Sequence, residues 1–276
     1  MCVVNFPAVL EAALCSQAAL VIAHPGHELR VHHWLSLARP SVFVLTDGSG
    51  RSGESRLHST TRVLEPLKAT PGCMYGSLTD RDVYSALMDH DADLFIRLAQ
   101  QLAKAFMDQR IDYVVGDATE GYNPAHDVCR LIIDAAIAIA SRLQDRPIAN
   151  FDVLLTSEPG DHPAATLEGA VWLKLDDTAV SKKIEVALGY AEMSEEVNRI
   201  LRTVGRNGLE TECLRRAPND NPPHETWSPY YEQYGERQVK AGHYQRSIRY
   251  REHVLPLARA LGEYVRSFSR EATCAY

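Results

Sequence analysis

At 276 residues and 45% hydrophobic side chains, the chain can bury a full core, which excludes disorder as its general state. A formal charge of −7 with no basic patch excludes a protein whose main partner is a phosphate backbone. The six cysteines (Cys2, Cys15, Cys73, Cys129, Cys213, Cys274) show no CxxC spacing, which argues against a thiolate zinc site or a dense disulfide framework.

The first residues, Met1-Cys-Val-Val-Asn-Phe-Pro7, carry no positively charged lead, and no apolar run approaches the roughly 20 residues that cross a bilayer. The expectation is a soluble, cytoplasmic protein without a membrane or nucleic-acid partner. Helical spacing of Val9, Leu10, Ala13 and Leu14 predicts a helix over 7–17, followed by a strand over 20–23. An amphipathic helix is expected over 28–39, with Leu29, Trp34, Leu35 and Ala38 on one side. Pro40 stops it before a second buried strand over 41–46. Strand, helix and strand within about thirty residues form the βαβ unit of a parallel sheet.

The loop Asp47-Gly-Ser-Gly-Arg-Ser-Gly53 follows, at the same sheet edge as His24 if the strands are parallel. It reads either as a ligand-wrapping loop, with Asp47 as a substrate contact, or as a flexible turn opening a helix over 54–67. It matches neither a GxGxxG nor a Walker pattern, so a nucleotide-binding enzyme ranks last. Helices over 80–89 and 91–109 lead to a strand over 111–115, and residues 128–143 are apolar nearly all round, as in a helix buried against a sheet.

Strands are expected over 151–156 and 169–175, with a loop around His162 between them. Residues 176–204 have helical composition with Gly189 inside, and 206–225 read as loop, with Pro218-Asn-Asp-Asn-Pro-Pro223 as the strongest breaker. From Trp227 the chain is rich in tyrosine and arginine, and a last helix is expected over 244–268. These aromatic and guanidinium groups suit either a sugar or anionic conjugate, or packing against the body or a second subunit of a homo-oligomer. The expected organisation is one α/β domain over 1–205 and a loop-and-helix extension over 206–276 packed on it.

Chemistry concentrates at two strand-to-helix junctions. Ala23-His24-Pro25-Gly26-His27-Glu28 ends the first strand, and Asp117-Ala-Thr-Glu120-Gly121-Tyr122-Asn123-Pro124-Ala125-His126-Asp127 follows the apolar run ending at Val115. Three imidazoles from such junctions suffice for one mononuclear metal site, with zinc as the default and Fe(II), Co or Cu also suited. Helix starts disfavour the protonated ring, and a metal needs the neutral one. His32, His33, His162, His224 and His243 read as surface or packing residues.

Hydrophobic strand, Ala-His-Pro-x-x-Glu, a second strand with Thr-x-Gly, and later x-Pro-x-His-Asp at a helix start together resemble the PIG-L/LmbE-like metal-dependent deacetylases. The resemblance covers roughly 18–160. It implies a Rossmann-like three-layer α/β sandwich with a mostly parallel sheet, and removal of an acyl group from an amino sugar or small conjugate. It assigns His24 and His126 as metal ligands and puts His27 in place of the aspartate ligand. Gly26 stands at the family's general-base aspartate, and Asn123 where a histidine often stabilises the oxyanion.

Three neutral ligands leave the metal centre one charge more positive, which makes its water more acidic and partly offsets the lost base. General base catalysis is worth about 10²- to 10⁴-fold, so another carboxylate is expected to serve. Asp117 and Glu120 are the candidates, Glu28 and Asp127 are expected to orient imidazoles, and Tyr122 to touch substrate. The sequence therefore reads as a zinc-dependent amidohydrolase. The alternatives are a binding protein that has lost hydrolysis and a three-histidine centre running oxidative Fe(II) chemistry.

Overall fold

The computed structural model describes residues 16–50, 52–156, 169–218 and 226–267. The expected helix over 7–17, except its last two residues, lies outside them, as do His162, His224 and residues 219–223 of the breaker.

Five parallel strands form most of the sheet: β1 (Ala18–Ile22), β2 (Ser41–Thr46), β3 (Thr70–Leu78), β4 (Tyr113–Asp117) and β5 (Ala149–Val153). β7 (Thr211–Arg216) pairs antiparallel with β5 and with β6 (Val171–Lys174), giving the order β3-β2-β1-β4-β5-β7-β6. The chain steps outward from β1 to β3, then returns to place β4 on the other side of β1. That reversal opens a crevice between the carboxyl ends of β1 and β4, the usual ligand position in an open α/β sheet.

The period-two alternation of the strands builds two cores. Ala19, Val21 and Ala23 face one side with Phe43, and Ala18, Leu20 and Ile22 face the other with Val42 and Val44. The first face is covered by α3 (Asp80–Met88), α4 (Ala92–Asp108), α5 (Pro124–Gln144) and α9 (Leu255–Ser267). The second is covered by α1 (His32–Ala38), α2 (Leu57–Leu67) and α6 (Asp177–Leu188). The all-round apolar character of α5 follows from this layering, because α9 and α4 cover what the sheet leaves open.

The structure departs from the sequence reading at several elements. β3 was not expected, since Pro71, Gly72 and Gly76 weaken a strand pattern; an edge strand tolerates them, and the bare Gly72 admits the Phe43 ring. Residues 206–225 were expected to be loop, yet they contain β7, so the sheet runs across the expected 205/206 boundary. The helix expected over 176–204 breaks after Gly189 into α6, a 3₁₀ turn (Ala191–Met193) and α7 (Ser194–Val204), because Tyr190 is buried with its hydroxyl against Thr60. The helix over 28–39 is a 3₁₀ turn (His27–Val31) followed by α1. The tail holds α8 (Tyr230–Lys240) and a π turn (Tyr250–Val254) leading into α9. No helix among the described residues is long and apolar enough to cross a membrane.

Candidate active site

β1 ends at Ile22, and the next four residues carry His24 to the crevice and turn the chain at Pro25-Gly26. Gly26 sits at φ 107°, a conformation that a side chain disfavours. A Cβ added there would lie 3.3 Å from the Met193 sulfur, so a thioether packs against the bare turn. Glu28 locks this turn by accepting the Gly26 amide at 2.7 Å. It is fully buried, which pushes its carboxyl upward. His27 opens the 3₁₀ turn. His126 lies in the first turn of α5, whose N-terminus is set by Pro124 and the Asn123 cap.

The three rings converge. Centroids are 5.3 Å apart for His24 and His27, 5.0 Å for His24 and His126, and 4.5 Å for His27 and His126. Two rings are anchored through Nδ1. His27 donates to Asp117 Oδ2 at 2.8 Å, while His24 is shared between Thr46 Oγ1 at 2.8 Å and Asp80 Oδ1 at 2.9 Å. The same Asp117 oxygen accepts the Ala23 amide at 2.7 Å. Asp80 also accepts the Thr46 hydroxyl at 2.6 Å and, on its other oxygen, the Gly50 amide at 2.6 Å. The glycine-rich loop after β2 therefore holds the group that holds His24, and Asp47 caps that loop through the Ser49 amide instead of reaching the cleft.

The surroundings of His24 and His126 favour the neutral ring. Burial lowers His24, against the opposing pull of Asp80, and burial together with the neighbouring His27 and His24 lowers His126 well below the usual imidazole range. Burial raises Asp80, but the bonds from His24, Thr46 and the Gly50 amide outweigh it and hold its carboxyl well below the usual carboxylate range.

Whether these residues suit a metal can be tested on the rings themselves. Among the described residues no group of three or more His, Cys, Asp or Glu side chains stands gathered as a ready cation cluster. The ring spacing nevertheless matches three imidazoles sharing one ion, since zinc about 2.0–2.1 Å from each nitrogen sets ring centres about 5 Å apart. His24 Nε2 and His126 Nδ1 are buried without a hydrogen-bond partner. A ring whose Nδ1–H is held by a carboxylate presents a lone pair at Nε2, the arrangement typical of ligating histidine. The residues fit a divalent transition metal.

The remaining candidates from the sequence fall in different places. Asn123 lines the cleft, and its Oδ1 accepts both the Tyr84 hydroxyl at 3.1 Å and the Ala125 amide at 2.9 Å. Those two donors leave the amide NH2 as the group it can offer. Tyr122 lines the rim and is 54% exposed. Glu120 accepts the Leu155 amide at 2.7 Å and the Thr156 amide at 3.1 Å, tying its loop to the segment after β5. Asp127 accepts the Glu120 and Gly121 amides at 3.2 Å, and burial raises its carboxyl to about 7. None of Asp117, Glu120, Glu28 and Asp127 lines the cleft.

Sequence reasoning missed Asp80, Thr46 as a partner of His24, and Tyr84. For Asp80 a signal existed, an aspartate at the start of a helix after an apolar segment, but it required β3 to be recognised as a strand. The cleft itself, about 320 Å³, runs from the imidazoles toward α7.

No family model matches the chain, and no curated protein matches it in sequence. Among solved structures the chain is similar to the A40926 pseudoaglycone deacetylase Dbv21, at 16% identity and a TM-score of 0.51, over 74% of this chain and 99% of that one. It is also similar to the zinc-inhibited form of teicoplanin deacetylase Orf2 (15%, TM-score 0.47, 74% and 100%). A third likeness is to the conserved protein TT1542 from Thermus thermophilus (16%, TM-score 0.47, 77% and 99%). At such identities the likeness to Dbv21 concerns architecture: the chain is a mostly parallel, seven-stranded α/β protein with helices on both faces, the fold of a solved deacetylase.

Proposed function

We propose that this protein is a metal-dependent amidohydrolase of the PIG-L/LmbE type that deacylates an N-acylated amino sugar or small conjugate. The observation that carries the reading is the meeting of three imidazoles at the β1/β4 crevice, two of them fixed through Nδ1 by carboxylates. His24, His27 and His126 would hold zinc, or another divalent transition metal such as Fe(II). When bound, the metal supplies polarisation of the amide carbonyl and acidification of water.

The protein's own part is positioning. Asp80 and Thr46 orient His24, and Asp117 orients His27; the Asp117 oxygen is already taken by two donors, so in this reading it acts through the ring. Glu120 secures the loop carrying Asn123. The Asn123 amide, aimed by Tyr84, donates to the oxygen that gains charge as the carbonyl carbon becomes tetrahedral. Asn123→Ala is expected to lower kcat by about 10²- to 10³-fold with little change in KM, because the bond is made mainly in the transition state. Steady-state kinetics check it, and a raised KM with kcat unchanged would assign Asn123 to ground-state binding.

The whole reading is tested by metal analysis of the purified protein together with turnover of N-acyl glucosamines. Stoichiometric metal with amine release supports it. A folded protein that takes up no divalent transition metal, or one that binds metal and substrate without turnover, overturns it.

A further inference from the structure

The cleft does not end at the imidazoles. From Gly26 it continues beneath the 3₁₀ turn at Ala191–Met193 and α7, where Leu29, Ala187, Met193, Val197, Ile200 and Leu209 form its wall. Leu29, Ala187 and Val197 belong to a small apolar cluster separate from the two sheet cores. Among the charged side chains bordering this arm, Glu196 faces Arg199 at 3.7 Å on the exposed side of α7, and the others are bonded within the fold. Lys183 donates to Glu212 at 2.7 Å and to the Arg30 carbonyl at 2.9 Å, and Arg215 donates to Asp152 at 2.7 Å. Arg56 donates through Nε to the Gly48 carbonyl at 2.6 Å, and Arg30 through Nε to the Leu154 carbonyl at 3.0 Å. A wall of this kind offers little to a hydroxyl or an anion and favours hydrocarbon.

Another border of the cleft, at Tyr122, is different in character. Tyr122 stacks on Tyr230 with centroids 5.5 Å apart and planes within 7°, and Tyr230 is followed by Tyr234 at 6.2 Å. All three rings are exposed, and Arg237 lies over Tyr230. The cleft at the imidazoles is therefore bordered by an apolar arm and by an exposed aromatic rim. The two halves of an amide differ in the same way when its acyl part is hydrocarbon and its amine part is polar. An acetyl group would fill only a corner of a 320 Å³ cleft.

We infer that the arm is an acyl-chain subsite, and that the preferred substrate is an N-acyl amine bearing a linear apolar acyl chain longer than acetyl. The amine-bearing portion lies at the Tyr122 rim. This specificity rests on the deacylase reading above. In the reaction the amide C–N bond breaks, the hydroxyl of water joins the acyl carbon, and a proton goes to the departing nitrogen. The products are a carboxylate of the chain and a free amine, with no change of oxidation state. Met193 beside the Gly26 turn gives the entrance to the arm a deformable thioether, whose sulfur also accepts from Arg56 Nη1 at 3.3 Å.

The test uses the wild-type chain with glucosamine acylated by acetyl, butanoyl, hexanoyl and octanoyl groups, and calorimetric titration with octanoate, the product, as a readout independent of turnover. Each added methylene is expected to raise kcat/KM about fourfold until the arm is full. Octanoate is expected to bind where acetate does not, and Ile200→Glu to lower octanoyl kcat/KM at least about tenfold and weaken octanoate binding. Acetyl turnover with no dependence on chain length overturns the subsite and leaves the hydrolase standing. Octanoate binding without turnover of any member keeps the subsite and overturns the hydrolase. Failure of both removes both, and because the chain-length series needs no variant, misfolding of Ile200→Glu cannot obscure the result.

Discussion

Purified His24→Ala protein is expected to carry no stoichiometric zinc and to lose on the order of a thousandfold or more in amide hydrolysis, while circular dichroism remains that of the folded chain. The two ends of the His24 ring face different surroundings. Its Nδ1 is held by Asp80 and Thr46, and its Nε2 is buried with no other partner, so the side chain's remaining donor capacity is directed at the place where His27 and His126 also converge. In the proposed reading, removing one of three ligands removes the metal's contribution, which is several kcal/mol of transition-state stabilisation. Asp117→Asn provides a graded companion. The amide keeps the shape but removes the charge that His27 faces at 2.8 Å, and metal affinity is expected to fall about 10- to 100-fold. Zinc content and a competition titration against a chelator measure both. Full zinc and full turnover in His24→Ala would end the three-imidazole account.

Glu212→Ala is expected to destabilise the fold by about 3–5 kcal/mol, read as a lower urea midpoint at unchanged m-value. Glu212 is 1% exposed and accepts three hydrogen bonds: from Lys183 Nζ at 2.7 Å, from the His33 amide at 2.9 Å and from the Trp34 amide at 2.8 Å. It thus ties α6 to β7 and caps the start of α1. Alanine leaves two buried amides without acceptors and a buried ammonium without its counter-charge. Burial already lowers the Lys183 pKa, and Glu212 is the main opposing influence, so without it the lysine sheds its proton or draws in water. The double variant Glu212→Met with Lys183→Met is expected to recover much of the loss, because replacing both partners avoids the stranded charge. A midpoint shift equivalent to under about 1 kcal/mol in Glu212→Ala would mean that the pair is exposed to solvent in the native ensemble.

The two junctions that carry the candidate site were legible in the residue order. His-Pro-Gly-His at the end of a buried strand and His126 at the start of a helix marked the two junctions, and short apolar runs at β1, β2 and β4 in strand-helix-strand order marked the parallel sheet. Those are local signals, a few residues of periodicity or punctuation each, and they survive in the structure because the elements they specify are central and buried on both faces. The signals were less complete at the edges. In β3, proline and two glycines obscured the strand, and in β7, Glu212 and Arg215 disguised a buried strand as polar loop.

The sequence by itself determined the sheet's centre, the α5 helix and the identity of three imidazoles at two turns. Only the tertiary structure decided that the rings meet, that Asp80 and Asp117 hold two of them, and that Tyr84 orients Asn123. The physical reason is that a buried charge or ring nitrogen is stabilised by partners brought close through folding. His27 and Asp117 are 90 residues apart in the chain, and Trp34 and Glu212 are 178, so no local pattern records either contact.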